Sequence, residues 1–435
     1  MTGMRRAEMP GRVRLAVILS SLSALGPMSI DMYLPAFPEV AESFGSSESA
    51  VQLTLTACLA GLALGQLLAG PLSDLLGRRR PLVIGLALYV LASVGCALAP
   101  TVELLTVARL LQGLAGAAGV TIVRAVARDL FDGAALARFF SMLILVSGLA
   151  PIVAPLIGSQ LIRVLPWPGV FVVLAGYGVV VLLAARFGLP ETLAPADRDA
   201  RGFRQTGAVM AQVLGDRRFV GYALASGLLF AAMFTYISGS PFVLQQIYRL
   251  SPQQFGLAFG GNALGILILS QLSRVLLRWF SPRRLLLAGL LLGLAGGAGL
   301  LAAVLLRLGL PAVLAGLFAV VSSVGLVMPN ATALALTWLP PQRAGSASAL
   351  LGVMQFLFGA LAAPLAGVAG DATAVPMASV IAGLTVAALL AYALLTPRGP
   401  APEPVPGGPA EPARPAELTE PARPAEGTGG PGAAR

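Results

Sequence analysis

Along most of the chain the apolar positions follow neither a helical nor a strand period. They form long continuous blocks broken by short polar punctuation. The blocks fall near residues 13–34, 50–70, 82–99, 103–124, 138–161, 170–188, 219–240, 254–277, 285–306, 312–336, 346–369 and 376–396. Each holds about 18–25 residues, enough at ~1.5 Å per residue to cross a ~30 Å hydrocarbon layer as an α-helix. The pattern predicts an all-α membrane protein with twelve transmembrane helices. The first block is long, lacks a small-residue cleavage site and runs through a Pro-rich stretch towards a second span, so it reads as a span rather than a signal peptide.

The punctuation carries topology. With a cytoplasmic N-terminus, Arg5, Arg6, Arg12 and Arg14 lie inside, as do Arg78, Arg79, Arg80, Arg124, Arg128 and Arg138 and the basic residues of the central loop. Only Arg163, Arg249 and Arg307 fall outside, and Arg109 falls within a span. A bias of this kind places the basic loops and both termini in the cytoplasm. The longest internal loop separates six spans from six, giving an expected division into 1–189, a cytoplasmic loop 190–217, 218–396, and a cytoplasmic tail 397–435. The tail is rich in Pro, Ala, Glu and Gly and repeats Glu-Pro-Ala-Arg-Pro-Ala-Glu at 411–417 and 420–426, a composition expected to be disordered. The halves echo each other at Leu72–Arg78 and Leu272–Arg278, and at Ala154–Gly158 and Ala363–Gly367, which points to a duplicated, pseudo-symmetric architecture.

Composition narrows the function. The chain is 57% hydrophobic and 11% charged, against roughly 25% charged for soluble domains, so lipid must cover most of its surface. All 29 basic residues are Arg, and there is no His. Without Lys there is no Walker A phosphate loop and no Schiff base, and without His no Ser-His pair or His-based zinc site. Neither an enzyme nor a resident cofactor or metal is expected, and internal ATP-driven pumping is disfavoured. Cys58 and Cys96 lie in apolar blocks and read as small buried hydrophobes. The net charge of +10 does not signal nucleic acid, because the arginines sit at span ends rather than on a soluble module.

The segment Gly70-Pro-Leu-Ser-Asp74-Leu-Leu-Gly77-Arg78-Arg79-Arg80-Pro-Leu82 joins the second and third spans. It resembles the loop signature of the major facilitator superfamily at Gly70, Leu72, Asp74, Gly77, Arg78 and Leu82, with Ser73 and Arg79 mild changes and Leu75 in place of the usual Arg. The resemblance implies two six-helix bundles around a central cavity, the major facilitator fold. It also implies a loop that latches the halves when the cavity faces outward, with Asp74 as a gating charge. Arg274 stands where the second half would need that acid. Arg109-Leu-Leu-Gln112-Gly113 is similar to the fourth-helix signature of the same superfamily, whose Arg is implicated in proton coupling. An ionisable residue at that depth normally faces a cavity or a partner. Its candidate partner is Asp31, about 6–10 Å below the outer end of the first span if that helix ends between Pro35 and Pro38. Between Asp216 and Asp371 there is no acidic residue, so Asp31 is the leading proton carrier by elimination.

The fifth span holds Gly148, Pro151, Pro155 and Gly158, similar to the antiporter signature of the superfamily, with Ala150, Ala154 and Ser159 replacing glycines. Together with Asp-Met-Tyr-Leu-Pro at 31–35, Leu-Pro-Trp-Pro-Gly-Val-Phe at 165–171 and Ser-Gly-Ser-Pro-Phe-Val at 238–243, residues 14–396 resemble the Bcr/CflA drug-resistance transporters. That resemblance implies a monomer in the bacterial inner membrane that exports antibiotics and other small lipophilic compounds in exchange for protons. In that fold Tyr33, Gln112, Phe230, Phe234, Tyr236 and Asn330 are the candidates to line the pocket, while Gln66, Asn262 and Gln355 are candidates to bridge helices. Proton-coupled uptake of a small metabolite, and a transport-dead membrane sensor, stay open at this point.

Overall fold

The computed structural model describes residues 12–396, apart from 132, 196–197, 199–206, 208–209, 338 and 368–372. The predicted tail and much of the central loop therefore lie outside the described residues. The described chain is helical throughout: α1 Arg12–Asp31, α2 Phe37–Phe44, α3 Glu48–Leu76, α4 Arg79–Ala97, α5 Val102–Leu130, α6 Gly133–Leu161 and α7 Pro168–Gly188, then α8 Arg217–Phe242, α9 Pro252–Leu276, α10 Pro282–Leu305, α11 Leu310–Thr337, α12 Pro341–Ala362 and α13 Val375–Leu395. Among the described residues eleven segments are long and apolar enough to cross a membrane, and α6 adds the apolar stretch Gly148–Leu161. Many starts are written locally. Ser47, Thr101, Ser251 and Ser281 each accept a hydrogen bond from a first-turn backbone N–H, and Ser251 forms a capping box with Gln254.

Two segments differ from the hydropathy reading. The first helix does not run on to Pro35: α1 stops at Asp31, a 3-10 turn covers Leu34–Ala36, and the amphipathic α2 follows. Helices α3 and α5 extend past their apolar blocks, to Leu76 and Leu130, so Asp74 lies in the last turn of a helix and only Gly77 and Arg78 connect α3 to α4.

Within α1–α7, α5 packs on α3 and α4, α7 on α4, and α1 on α5, α6 and α7; within α8–α13, α10 packs on α11, α8 on α11, α12 and α13, and α9 on α11. The two sets meet through α6 with α9 and α3 with α12. Their apolar cores are joined at one end and separate at the other. One cluster runs from Tyr33, Phe37 and Trp167 to Phe242 and Phe255 and so spans both sets. At the opposite end a cluster around Leu19, Leu86 and Val126 belongs to α1–α7 alone, and another around Phe219, Leu286 and Leu351 to α8–α13 alone. Hydrogen bonds tie the sets together at the shared end: Ser49 Oγ to the Gly367 carbonyl at 2.8 Å, Gln253 Nε2 to the Ser159 carbonyl at 2.8 Å, and Gln245 Nε2 to the Pro35 carbonyl at 3.4 Å. The bundle is closed at the Trp167 end and parted at the Gly77 end. Outward-facing apolar residues such as Leu91 (67% exposed) and Val180 (65%) form the surface expected against lipid.

The internal echoes take different forms. Ala154–Gly158 stays α-helical inside α6, whereas Ala363–Gly367 tightens into a 3-10 turn. Ser73 and Ser273, equivalent in the other repeat, each accept a hydrogen bond, from Arg78 at 2.9 Å and from Asn330 at 2.8 Å.

Candidate transport cavity and its charged groups

Between the two sets lies a cavity of about 480 Å³. One wall is aromatic. Phe230 and Phe234, a helical turn apart on α8, have ring centroids 4.8 Å apart, and Phe356 of α12 approaches Phe230 edge-on at 5.7 Å. Tyr236 stacks on Phe259 at 5.4 Å and its hydroxyl accepts from Asn262 Nδ2 at 2.9 Å. Gln66, Gln355 and Pro151 complete other parts of the lining.

Among the described residues two charged side chains line the cavity, Asp31 and Arg124. Asp31 is the last residue of α1, 4% exposed, and lies within Coulombic reach of Tyr236. Among the described residues it has no ion pair and no hydrogen-bonded partner. A carboxylate this enclosed and unpaired is costly to keep ionised.

Arg109 is not brought to Asp31. It is fully enclosed, and its Nη1 donates to the Ser29 carbonyl at 2.9 Å and to Gln112 Oε1 at 2.6 Å. Its guanidinium lies over Tyr33 at 5.1 Å and Phe171 at 5.6 Å, while Nε and Nη2 have no hydrogen-bond acceptor among the described residues. Gln112 passes the network on to Ser93 Oγ at 2.8 Å, and Ser29 Oγ pairs with the Tyr89 hydroxyl at 2.7 Å. Ser29 and Asp31 differ by two residues, about 200° around a helix, so they address opposite sides of α1. Arg109 therefore anchors the last turn of α1 from behind, and Asp31 faces the cavity from the front.

Of the predicted pocket residues, Phe230, Phe234 and Tyr236 line the cavity. Tyr33 and Gln112 do not: they are buried around Arg109. Asn330 does not either, since it bonds Ser273 Oγ at 2.8 Å and the Leu326 carbonyl at 2.7 Å inside α8–α13. Asn262 bridges α9 to α8, whereas Gln66 Nε2 has no partner among the described residues and lies at the cavity. The four antiporter-signature residues all lie on α6, with Pro151 at the cavity, Gly148 facing Leu267 of α9 and Gly158 pressed on the Met32 carbonyl of the α1 end.

At the parted end the Gly70–Arg79 segment forms a charge cluster. Arg78 donates to Asp129 at 3.0 Å and pairs with Asp74. Burial alone would lower its pKa, but Asp129 and Asp74 raise it. Glu191, just past α7, accepts from the backbone N–H groups of Arg78 at 2.7 Å and Arg79 at 3.2 Å, capping α4, and Arg79 donates to the Arg186 carbonyl. Gly77 holds φ at +89°, and a Cβ there would stand 2.6 Å from Glu191 Oε2. Gly70 meets only Thr121, at 3.8 Å. Asp129 and Glu191 belong to this cluster without any motif that marks them. The signals in the chain are an acid closing α5 in Arg128-Asp129-Leu130 and the Pro190-Glu191-Thr192 step after α7.

Partial burial pushes the Glu191 carboxyl up, but the backbone donors of Arg78, Leu193, Arg79 and Thr192 together bring it below the ordinary glutamate value. A lowered folded pKa stabilises the protein above the unfolded pKa, near 4.5, and that stabilisation is lost as pH falls through the folded value. Glu191→Gln is therefore expected to lower thermal stability at pH 7 by less than about 1 kcal/mol, given the group's exposure. The gap to wild type should close as pH drops below about 4.5. Melting curves of the two proteins in detergent across pH 7 to 4 check this; a gap that persists at the acid end would contradict it.

Comparison with known proteins bears on this architecture directly. The family profile described as Major Facilitator Superfamily matches residues 19–321 and 222–425. The chain belongs to the major facilitator superfamily. It is 40% identical over 392 residues to the "Uncharacterized MFS-type transporter YdgK" of Bacillus subtilis (strain 168), covering 88% of this chain and 96% of that one. It is 31% identical to the "Bicyclomycin resistance protein homolog" of Haemophilus influenzae, covering 87% and 95%. The crystal structure of a point mutant of the nucleoside transporter NupG superposes with a TM-score of 0.73 at 13% identity over 88% of this chain and 99% of that one, a likeness of fold. As a member of the superfamily the chain is a multi-pass membrane transporter of small molecules, not an enzyme, with the all-helical major facilitator fold.

Proposed function

We propose that the protein exports small organic compounds across the bacterial cytoplasmic membrane in exchange for protons. The Gly77 end and both termini face the cytoplasm, following the arginine distribution. The observation that carries the reading is Asp31, an unpaired and nearly buried carboxylate on the central cavity, in a chain with no acidic residue between Asp216 and Asp371. Protonation from outside neutralises Asp31 and lets the empty cavity turn inward; proton release to the cytoplasm then frees the cavity for the compound, which accompanies the return step outward. Arg109 holds the α1 turn that carries it. In this reading the parted Gly77 end corresponds to an inward-facing state, with Asp74 half exposed and the Gly70–Arg79 latch making its polar contacts, among the described residues, within α1–α7 and the turn after α7. The monomer, divided at 190–217, rocks as two six-helix halves about the α6–α9 and α3–α12 contacts. Kinship with a relative named for bicyclomycin resistance supports a lipophilic antibiotic-like substrate.

The test is lumenal pH in everted vesicles with a preset acid interior. Addition of bicyclomycin or chloramphenicol is expected to release protons from vesicles containing the protein and not from empty ones. Folded protein with no response across a panel of such compounds would overturn proton-coupled export.

A further inference from the structure

Asp31 and Arg124 are opposite charges lining one cavity, yet neither meets the other or any further counter-charge among the described residues. Arg124 is exposed into the cavity, and among those residues its side chain has no hydrogen-bond or ion-pair partner. Their spacing follows from the helices. A Cβ on Gly26 of α1 would stand 3.6 Å from Val120 Cγ2 of α5, which puts those two residues at one level. Asp31 lies five residues further along α1 towards the closed end, and Arg124 four residues further along α5 towards the parted end. At 1.5 Å per residue the two charges are separated by roughly 13 Å along the bundle axis. The same cavity is lined by the Phe230, Phe234 and Phe356 rings and by Gln66 and Gln355.

Asp31, enclosed and without a counter-charge among the described residues, has a standing desolvation cost that a ligand cation relieves, and Arg124, exposed on the open side of the cavity, is available to an anion. A single cation satisfies Asp31 and leaves Arg124 as it was; a single anion does the reverse. A molecule with both, joined by a flat apolar body, meets every charged group in the cavity and lays its body on the aromatic wall. Resting on the reading of this cavity as the transport site, we infer that the protein binds dipolar amphiphiles in preference to the singly charged and neutral compounds that the same cavity also accepts. The preferred ligands are zwitterions whose cationic group docks at Asp31 and whose anionic group docks at Arg124 across an aromatic or alicyclic core. The cationic group then competes with the proton for the same carboxylate.

Three matched probes test this by titration calorimetry on the purified full chain in nanodiscs at pH 7. Norfloxacin carries a piperazinium and a carboxylate at opposite ends of a fused ring system, its ethyl ester carries only the cation, and its N-acetyl derivative carries only the anion. The zwitterion is expected to bind about tenfold tighter than either singly charged form, the equivalent of one ion pair in a partly wetted site. Arg124→Gln should reduce norfloxacin to the affinity of its ester and leave the ester unaffected. Asp31→Asn should reduce norfloxacin to the affinity of the N-acetyl form and leave that form unaffected. A singly charged probe that matches norfloxacin on the wild type, or an Arg124→Gln loss equal for all three, overturns the dipole selection while the cavity stands as a binding site. Failure of all three to bind overturns both.

Discussion

Asp31→Asn is expected to yield a folded transporter that exports nothing uphill. In everted vesicles the proton release that follows compound addition should fall to the background of empty vesicles, while downhill equilibration of the same compound persists. The amide matches the carboxylate in size and reach but carries no exchangeable charge at any working pH. No other acid lines the cavity among the described residues, and α8–α13 contain none. The same substitution removes an enclosed carboxylate without a counter-charge, so melting temperature in detergent should rise rather than fall. Loss of coupling together with loss of stability would point instead to a structural carboxylate. A variant that still accumulates compound against a gradient would sink the proposed role.

Gly158→Leu should have the largest effect on the fold. A Cβ at Gly158 would run into the carbonyl of Met32, a backbone atom with no rotamer to yield. The helix α6 would have to back away from the end of α1, one residue from Asp31. Overpacking of this kind costs about 1–3 kcal/mol and occasionally more. Gly158→Ala should already lower the melting temperature, and Gly158→Leu should largely abolish the monodisperse peak in size-exclusion chromatography. Gly176→Ala on α7 is the matched control, since a Cβ there meets nothing within 4 Å. Equal melting temperatures for Gly158→Ala and the control would refute the close approach.

The membrane class, the helical fold and the elimination argument for Asp31 are readable from residue types alone, because bilayer thickness and the cost of buried charge act on composition. Azimuth is not. Asp31 and Arg109 are at similar depth, but depth along a helix does not say which way a side chain points, and the residue two before Asp31 is the one Arg109 holds. Arg124 reads as a topology anchor because it closes an apolar block. Hydropathy registers where lipid ends, whereas α5 continues for six further residues and carries Arg124 beside an open cleft. The same cause puts Asp74 in a loop when it is helical. Asn330 and Tyr33 have pocket-like side chains, yet internal acceptors and ring faces claim them, a competition that no linear pattern displays.

Cys58 and Cys96 are both fully buried, and the chain contains no other cysteine and no lysine. The native protein is thus nearly silent to maleimides and to amine-directed reagents, with the N-terminal amine the remaining target of the latter. A single cysteine introduced at Ser49, where the closed end is tied to Gly367, would then report opening of that end as a change in labelling rate on the native background. The molecule is ready for site-specific fluorophores and spin labels without prior removal of its own thiols.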